Sequence, residues 1–211
     1  MTRRLLALAA LLLAAPAARA QAPHPGFPAP ANGNNLGIVT YGKTLVVDLD
    51  NNGGQQEIVV GTNTGRLIVL NHDGTVRAGW AGGKTLRSEV ASSPAAGNLD
   101  ADSQLEIVVG AGSAVPGNED GEVAAFNDDG SVLWRFSPID HYPEDGLPDA
   151  VFATPALGDL DGDGRDDVAF GAFDFRVWAL KGTNGSVLPG WPVFVRDSIW
   201  SSPALADLDG N

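Results

Sequence analysis

One nine-residue pattern occurs three times in this chain and limits the folds open to it. Each copy has a small residue, a hydroxyl residue, Pro-Ala and then an acidic or amide residue followed by Leu-Asp, and the copies begin at Ser92, Ala153 and Ser201. A more diverged copy is found at residues 45–50. The first acidic or amide positions are 48, 98, 159 and 207, so the copies are 50, 61 and 48 residues apart. A period of this length predicts a repeat architecture in which each copy opens one structural unit.

Each unit continues with three short runs of β-forming residues. The second run ends in an Asp-Gly or Asn-Gly turn, the strongest short signal for a hairpin because both residues tolerate a positive φ. The third run ends on a tryptophan. The first runs are 57–61, 106–110 and 167–171; the second are 66–71, 122–127 and 176–180; the third are 76–80, 132–134 and 187–191. Together with the opening Pro-Ala segment, each unit has four predicted strands.

The fold class predicted from these units is all-β. Four-stranded units with a period near 50 residues are typical of β-propeller blades, whereas a β-sandwich does not repeat its strand set in this way. A linear array of sheets is the other alternative. We expect a leader over 21–37, rich in Pro, Ala and Gly, and then a propeller over 38–211. Its predicted blades are 38–91, 92–152, 153–200 and an incomplete 201–211.

The N-terminus has the layout of a secretory signal peptide. Arg3 and Arg4 precede an apolar run over 5–15, and Ala18-Arg19-Ala20 supplies small residues before Gln21. The run is too short to span a membrane. We therefore predict that residues 1–20 are removed and that the mature chain is secreted, to the periplasm or outside the cell. A buried N-terminal helix is the alternative.

The loop 159–167 has acidic residues at its positions 1, 3, 5 and 9 and a glycine at position 6. Alternate carboxylates in a tight loop can converge on one cation, and Ca²⁺ takes six to eight oxygen ligands. Gly164 permits the reversal that this needs, and the carbonyl of Arg165 is a further oxygen. An EF-hand would place a glutamate at position 12, where this loop has Phe170. The predicted calcium ligands are Asp159, Asp161, Asp163, Arg165 through its carbonyl, and Asp167.

The segment Leu-Gly-Asp-Leu-Asp-Gly-Asp-Gly-x-x-Asp-Val-x-Phe-Gly, residues 157–171, resembles the FG-GAP and VCBS repeats, which are similar to the blades of integrin α-chain propellers. The resemblance extends over about 38–211. It implies calcium held in a hairpin loop between the first two strands of a blade, and it carries over directly onto the five ligands of the loop 159–167.

The other three loops depart from this pattern. The second has Ser103 in place of the glycine, and the first has one inserted residue, so that its closing acid falls at position 10. For the second loop we predict Asn98, Asp100, Asp102, the carbonyl of Gln104, and Glu106. For the first we consider Asp48, Asp50, Asn52 and Glu57, and polar turns without metal remain an alternative there. The fourth loop contributes Asp207, Asp209 and Asn211.

Charge and motif content limit the partners and activities. The whole chain has a formal net charge of −13, which opposes binding to nucleic acid or to anionic membranes. We found no catalytic motif and no cysteine, and neither His24 nor His72 has a neighbouring nucleophile. The loop 137–149 is expected to be an exposed connection, and a ligand site formed by His141, Tyr142 and the acids of this loop is the alternative. We therefore expect no enzymatic activity in this chain.

The function expected from the sequence is a secreted calcium-binding propeller that acts as a binding or adhesion scaffold for an unidentified protein or glycan. The alternative is the N-terminal propeller of a larger secreted enzyme, either a hydrolase or a quinone-dependent dehydrogenase. The sequence also predicts an incomplete ring whose third blade exposes Val168, Phe170 and Trp178, and self-association through that edge.

Overall fold

The computed structural model describes residue 39 and residues 42–115, 120–138 and 149–208. The predicted signal peptide and leader, most of the loop 137–149, and the predicted ligands Asp209 and Asn211 lie outside these residues. The described part of the chain contains no helix, and hence none that is long and apolar enough to cross a membrane. The predicted all-β class is confirmed.

Within the described residues, twelve strands form three four-stranded antiparallel sheets, each drawn from one sequence repeat. In every sheet the strands follow one another in chain order. The first sheet has β1 Leu45–Val47, β2 Glu57–Gly61, β3 Arg66–Leu70 and β4 Lys84–Thr85. The second has β5 Ala95–Gly97, β6 Glu106–Ala111, β7 Glu122–Phe126 and β8 Val132–Phe136. The third has β9 Ala156–Gly158, β10 Asp167–Gly171, β11 Arg176–Leu180 and β12 Val193–Phe194.

The fourth strand was predicted correctly in the second sheet and wrongly in the other two. Val76 and Val187 each form only an isolated bridge, to Leu70 and to Leu180. In both sheets the chain then turns through the tryptophan, and the strand forms after it, as β4 and β12. Gly79 and Gly190 have φ of 81° and 89° in these turns, a conformation that glycine adopts without steric cost. The second sheet has no such glycine, and β8 follows directly.

The sheets stack face to face in chain order. One core cluster joins the first and second sheets around Trp80, Leu67 and Phe126. A second cluster joins the second and third sheets around Val108, Phe170 and Leu180. The first and third sheets share neither cluster within the described residues, so the stack forms an open arc. Burial of these apolar side chains is the main source of its stability.

The predicted exposure of Val168, Phe170 and Trp178 is wrong. Their exposed fractions are 0%, 0% and 6%, because all three point toward the second sheet and not toward the outer face. Since side chains alternate across a strand, the outer face instead presents Ala169 and Gly171.

In every sheet, the chain that follows the fourth strand packs on the face turned toward the following repeat, which in the third sheet is this outer face. The amide N–H groups of Val90, Val151 and Ile199 donate to the carbonyls of Thr62, Ala111 and Ala172 at 3.0, 3.2 and 3.2 Å. Their side chains pack against Gly61, Gly110 and Gly171, where a Cβ atom would lie within 2.6 Å of them. The last residues of each predicted blade, just before the next Pro-Ala segment, therefore pack on the sheet of their own blade.

Candidate metal centres

Three groups of carboxylates converge at the loops between the first two strands of the sheets. In each group, the ligand atoms of three acidic residues lie within 4.8 Å of one another. The groups are Asp48, Asp50 and Glu57; Asp100, Asp102 and Glu106; and Asp159, Asp161 and Asp167. Each group could therefore hold a metal ion; its acids stand at loop positions 1, 3 and 9 or 10 in the first and third loops and at positions 3, 5 and 9 in the second.

The last acid of each group is fixed by the same contact. It begins the second strand of its sheet and is buried, and one of its oxygens accepts the N–H of the leucine that follows the first loop position. The distances are 3.0 Å from Leu49 to Glu57, 2.8 Å from Leu99 to Glu106, and 3.0 Å from Leu160 to Asp167. This bond closes the loop and fixes one oxygen of the last carboxylate.

The second oxygen of this closing acid has a partner in two of the three loops. Glu57 Oε1 lies 3.4 Å from a guanidinium nitrogen of Arg77, and Asp167 Oδ1 accepts the N–H of Gly182 at 3.1 Å. Glu106 is 0% exposed, and its Oε1 has no hydrogen-bond partner among the described residues. Burial raises the pKa of the Glu106 carboxyl to about 7; the nearby charges of Asp100 and Asp102 act in the same direction, and the N–H of Leu99 opposes them.

In the first loop a protein cation lies among the carboxylates. The Arg77 guanidinium contacts Asp50 at 2.5 Å, as well as Glu57, and its own side chain is 13% exposed. It also contacts Asp128 in the hairpin of the second sheet at 3.1 Å. Asp48 accepts the N–H groups of Gly53 and Gly54 through Oδ2, while its buried Oδ1 has no partner.

The third loop also contains a cation, at its more exposed side. Lys181 Nζ lies 2.5 Å from Asp161 and 2.8 Å from Asp163, and its side chain is 29% exposed. These hydrogen bonds raise the pKa of Lys181 and lower that of Asp163. Asp159 accepts the N–H of Gly164 at 2.8 Å, and Gly164 has a φ of 84°, which is the reversal that the sequence predicts there.

The second loop has no cation at either of these two positions. The strand register aligns Asn71, Asn127 and Lys181, each of which follows the last residue of its third strand. Val76, Val132 and Val187 each pair with the last residue of the third strand of their sheet. The residue that follows is Arg77 in the first sheet, Leu133 in the second and Leu188 in the third. The second loop therefore has Asn127 and Leu133 at these positions, and its three carboxylates face one another without a counter-charge there.

The remaining predicted ligands have mixed positions. Asn98 lies at its loop, where its Nδ2 donates to the carbonyl of Asp102. Asp163 is outside the third cluster and bonds Lys181 instead. Asn52 and Asp207 are exposed. The carbonyls of Gln104 and Arg165 remain predicted ligands. The main-chain N–H groups of the same two residues donate to the carboxylates of Asp102 and Asp163.

Sequence analysis missed three residues that shape these loops. Arg77 and Lys181 supply the cations. The sequence could have indicated Lys181, because aligning the repeats shows a lysine at this position where the other two copies have Asn71 and Asn127. Asp166 joins two loops: its N–H donates to the carbonyl of Asn98, and its Oδ2 accepts the N–H of Asn98 at 3.0 Å. The first and second loops are joined similarly by the N–H of Leu105 and the carbonyl of Leu49 at 2.9 Å.

Comparison with solved structures supports the propeller fold. The crystal structure of BBS1N in complex with ARL6DN is similar to this chain over 82% of its residues, with a TM-score of 0.53 and 12% identity. BamB from Moraxella catarrhalis matches 76% of the chain, with a TM-score of 0.45 and 21% identity. The C-terminal domain of PilY1 from Pseudomonas aeruginosa matches 74%, with a TM-score of 0.46 and 18% identity.

This chain spans 49% of the BBS1N chain, 38% of the BamB chain and 34% of the PilY1 chain. The BBS1N likeness, together with the three stacked four-stranded sheets, confirms a β-propeller with an open ring. At this identity it establishes the fold alone. No family model matches the sequence, and no curated protein is significantly similar to it. Membership of the FG-GAP or VCBS repeats therefore stays a prediction.

Proposed function

We propose that this chain is a calcium-binding propeller module that acts as a secreted binding or adhesion scaffold. One observation carries the proposal. Among the described residues, Glu106 Oε1 is buried without a hydrogen-bond partner, and the Glu106 carboxylate forms one cluster of ligand atoms with Asp100 and Asp102. A buried carboxylate oxygen without a partner is costly, and a bound cation would offset that cost.

The donor set favours calcium over other metals. All three clusters offer carboxylate oxygens, and the chain has no cysteine. Hard divalent cations take such oxygen ligands, whereas zinc and copper sites in proteins use imidazole or thiolate nitrogen and sulfur. The six to eight ligands of calcium leave room for the predicted carbonyl of Gln104, the amide oxygen of Asn98 and water. Magnesium demands a more rigid octahedral arrangement and gives up its water reluctantly.

The position of the second loop explains how a metal there would serve a scaffold. Leu105 bonds it to the first loop, and Asp166 bonds it to the third. A cation that neutralises Asp100, Asp102 and Glu106 would therefore stiffen a row of three loops from its middle. Extracellular modules bind calcium at about 10⁻⁴–10⁻³ M, which suits a protein outside the cell.

The proposed partner is a protein or a glycan, and no reaction is proposed. The excess of acidic residues disfavours nucleic acid as a partner. The predicted signal peptide over 1–20 motivates the proposed location in the periplasm or outside the cell. In this role the loops would stabilise the blades, and the partner would bind the surface that the blades hold in place.

Thermal unfolding of the full chain with calcium and with a chelator tests the proposal. Calcium at about 100 times its dissociation constant should stabilise the folded state by about 2.7 kcal/mol. Glu106→Gln should remove the part of this shift that the second loop contributes, whereas Glu89→Gln, at a residue that belongs to none of the clusters, should leave the shift unchanged. Equal midpoints with calcium and chelator in the parent chain would overturn the proposal.

A further inference from the structure

The three acidic loops share one backbone design but differ in charge. In the first loop Arg77 lies among the carboxylates, in the third Lys181 lies at the edge, and the second has Leu133 and Asn127 at the two equivalent positions. This inference rests on the proposed calcium binding and concerns which loop takes the metal.

We infer that Arg77 fills the first loop in place of a metal ion, so that the first loop takes no calcium while the second does. The guanidinium contacts Asp50 and Glu57, which are two of the three acids that would coordinate a cation. An ion bound to both would lie close to a fixed positive charge. At such separations the repulsion between unit charges is large near a protein surface.

Arg77 is held in this position by more than the acids of its own loop. Its Nε donates to the carbonyl of Asp128 at 3.2 Å, and its Nη2 contacts the Asp128 carboxylate. The planar guanidinium thus meets partners from two sheets at once, a geometry that suits arginine and that a flexible ammonium would not reproduce. Displacing the guanidinium would break its contacts with the second sheet as well, so an incoming metal ion would not displace it easily.

The first loop nevertheless keeps the design of a metal site. Asp48 Oδ1 is buried without a hydrogen-bond partner, and Arg77 does not reach it. Asp48, Asp50 and Glu57 still have ligand atoms within 4.8 Å of one another. Removing the guanidinium alone should therefore leave three converging carboxylates with no counter-charge, which is the arrangement of the second loop.

Lys181 also pairs with the carboxylates of its loop, but it is held less firmly than Arg77. It contacts Asp161 and Asp163 but not the buried Asp167, and its side chain is more exposed than that of Arg77. A single flexible ammonium can swing into solvent when a metal arrives. The third loop should therefore accept calcium in competition with Lys181, unlike the first.

Calcium stoichiometry measured by equilibrium dialysis on the full chain tests the inference. Arg77→Leu places in the first sheet the residue found at the equivalent position of the second and should add one bound calcium per chain. Arg66→Leu is the matched control for loss of one positive charge, since the Arg66 guanidinium donates to the carbonyl of Gly82 and Arg66 lies outside the acidic loops. It should leave the stoichiometry unchanged.

A second variant keeps the test decisive if Arg77→Leu does not fold. Asp50→Asn in the parent chain should leave the stoichiometry unchanged, whereas Glu106→Gln should remove one calcium. Loss of one calcium in Asp50→Asn, or no gain in a folded Arg77→Leu, would overturn the inference while calcium binding itself stands. A parent chain that binds no calcium at all would instead overturn the proposed function.

Discussion

The indole Nε1 of Trp134 donates a 2.6 Å hydrogen bond to the main-chain carbonyl of Gly182, and this bond joins the last strand of the second sheet to the third sheet. Trp80 makes the same connection one repeat earlier, to the carbonyl of Asp128 at 2.8 Å. In both cases donor and acceptor are 48 residues apart. The tryptophan of each of these repeats therefore fastens its sheet to the following one, as well as filling the core between them.

Trp134→Phe should destabilise the fold because it removes this hydrogen bond but keeps an aromatic ring in the core. The Gly182 carbonyl would be left buried without its donor, at a cost of about 1–3 kcal/mol. Trp200→Phe is the matched control, since Trp200 is 63% exposed. Chemical denaturation of both variants measures the free energy of unfolding. Equal losses would mean that the bond to Gly182 contributes nothing of its own.

The stacking of the sheets depends on glycines on the face that each sheet turns toward the following repeat, and Gly110→Ala tests this. A Cβ at position 110 would lie 2.6 Å from both Cγ1 and the main-chain oxygen of Val151. Because backbone cannot yield as a side chain can, we expect a loss of about 1–3 kcal/mol. Gly158→Ala is the control: its Cβ would meet only the end of Leu205, at 3.3 Å. The two denaturation midpoints should differ clearly, and a tolerated Gly110→Ala would contradict this packing.

The repeats made much of this fold predictable from sequence. Strands β2, β6 and β10 follow from apolar runs at equal positions in three copies, and the acid clusters follow from loop spacing. What was not predicted depends on contacts between residues that are distant in the chain. Arg77 is seven residues after β3 in the chain, and nothing local indicates that it reaches Asp50 across the loop. The orientation of Phe170 was also mistaken, since alternation along a strand shows that two faces differ but not which one meets the preceding sheet.

Asp174 should make stability depend on pH. Burial raises the pKa of its carboxyl from 3.8 to about 6, against the hydrogen bond from Trp178 and the charge of Arg176, which lower it. Because the folded pKa lies above the unfolded one, the folded state binds the proton more tightly. The stabilisation that the folded state gains from this proton on Asp174 is complete below pH ~4 and is lost as pH rises through about 6.

Asp174→Asn removes this titration while keeping an oxygen to accept the Trp178 indole N–H, now 2.9 Å from Asp174 Oδ2. Between pH 4 and 7 the parent chain should therefore lose stability relative to the variant, by on the order of 2 kcal/mol. Denaturation midpoints of both chains measured across that range give the difference. A difference that is constant with pH would show that Asp174 titrates normally in the folded state.

The ion pair between Arg135 and Glu122 supplies the last prediction. Glu122 has a side chain that is 2% exposed; it contacts Arg135 at 2.8 Å and also accepts the N–H of Arg87 at 2.9 Å. Arg135 in turn donates to the carbonyl of Thr85 at 2.8 Å, so the pair joins the second sheet to the chain that leaves the first. Removing one member of a buried pair leaves the other charge uncompensated, which is strongly destabilising.

Arg135→Leu should therefore cost about 2–3 kcal/mol, less than a fully buried pair because the arginine side chain is 37% exposed. Arg66→Leu removes a guanidinium that bonds a single carbonyl, that of Gly82, and should cost less than about 1 kcal/mol. Adding Glu122→Gln to Arg135→Leu should restore part of the loss, since an uncharged amide tolerates burial better than a carboxylate. Denaturation of the single and double variants measures this coupling. Additive losses would mean that Arg135 stabilises the fold through its contact with the Phe126 ring, 5.6 Å away, and not through its charge.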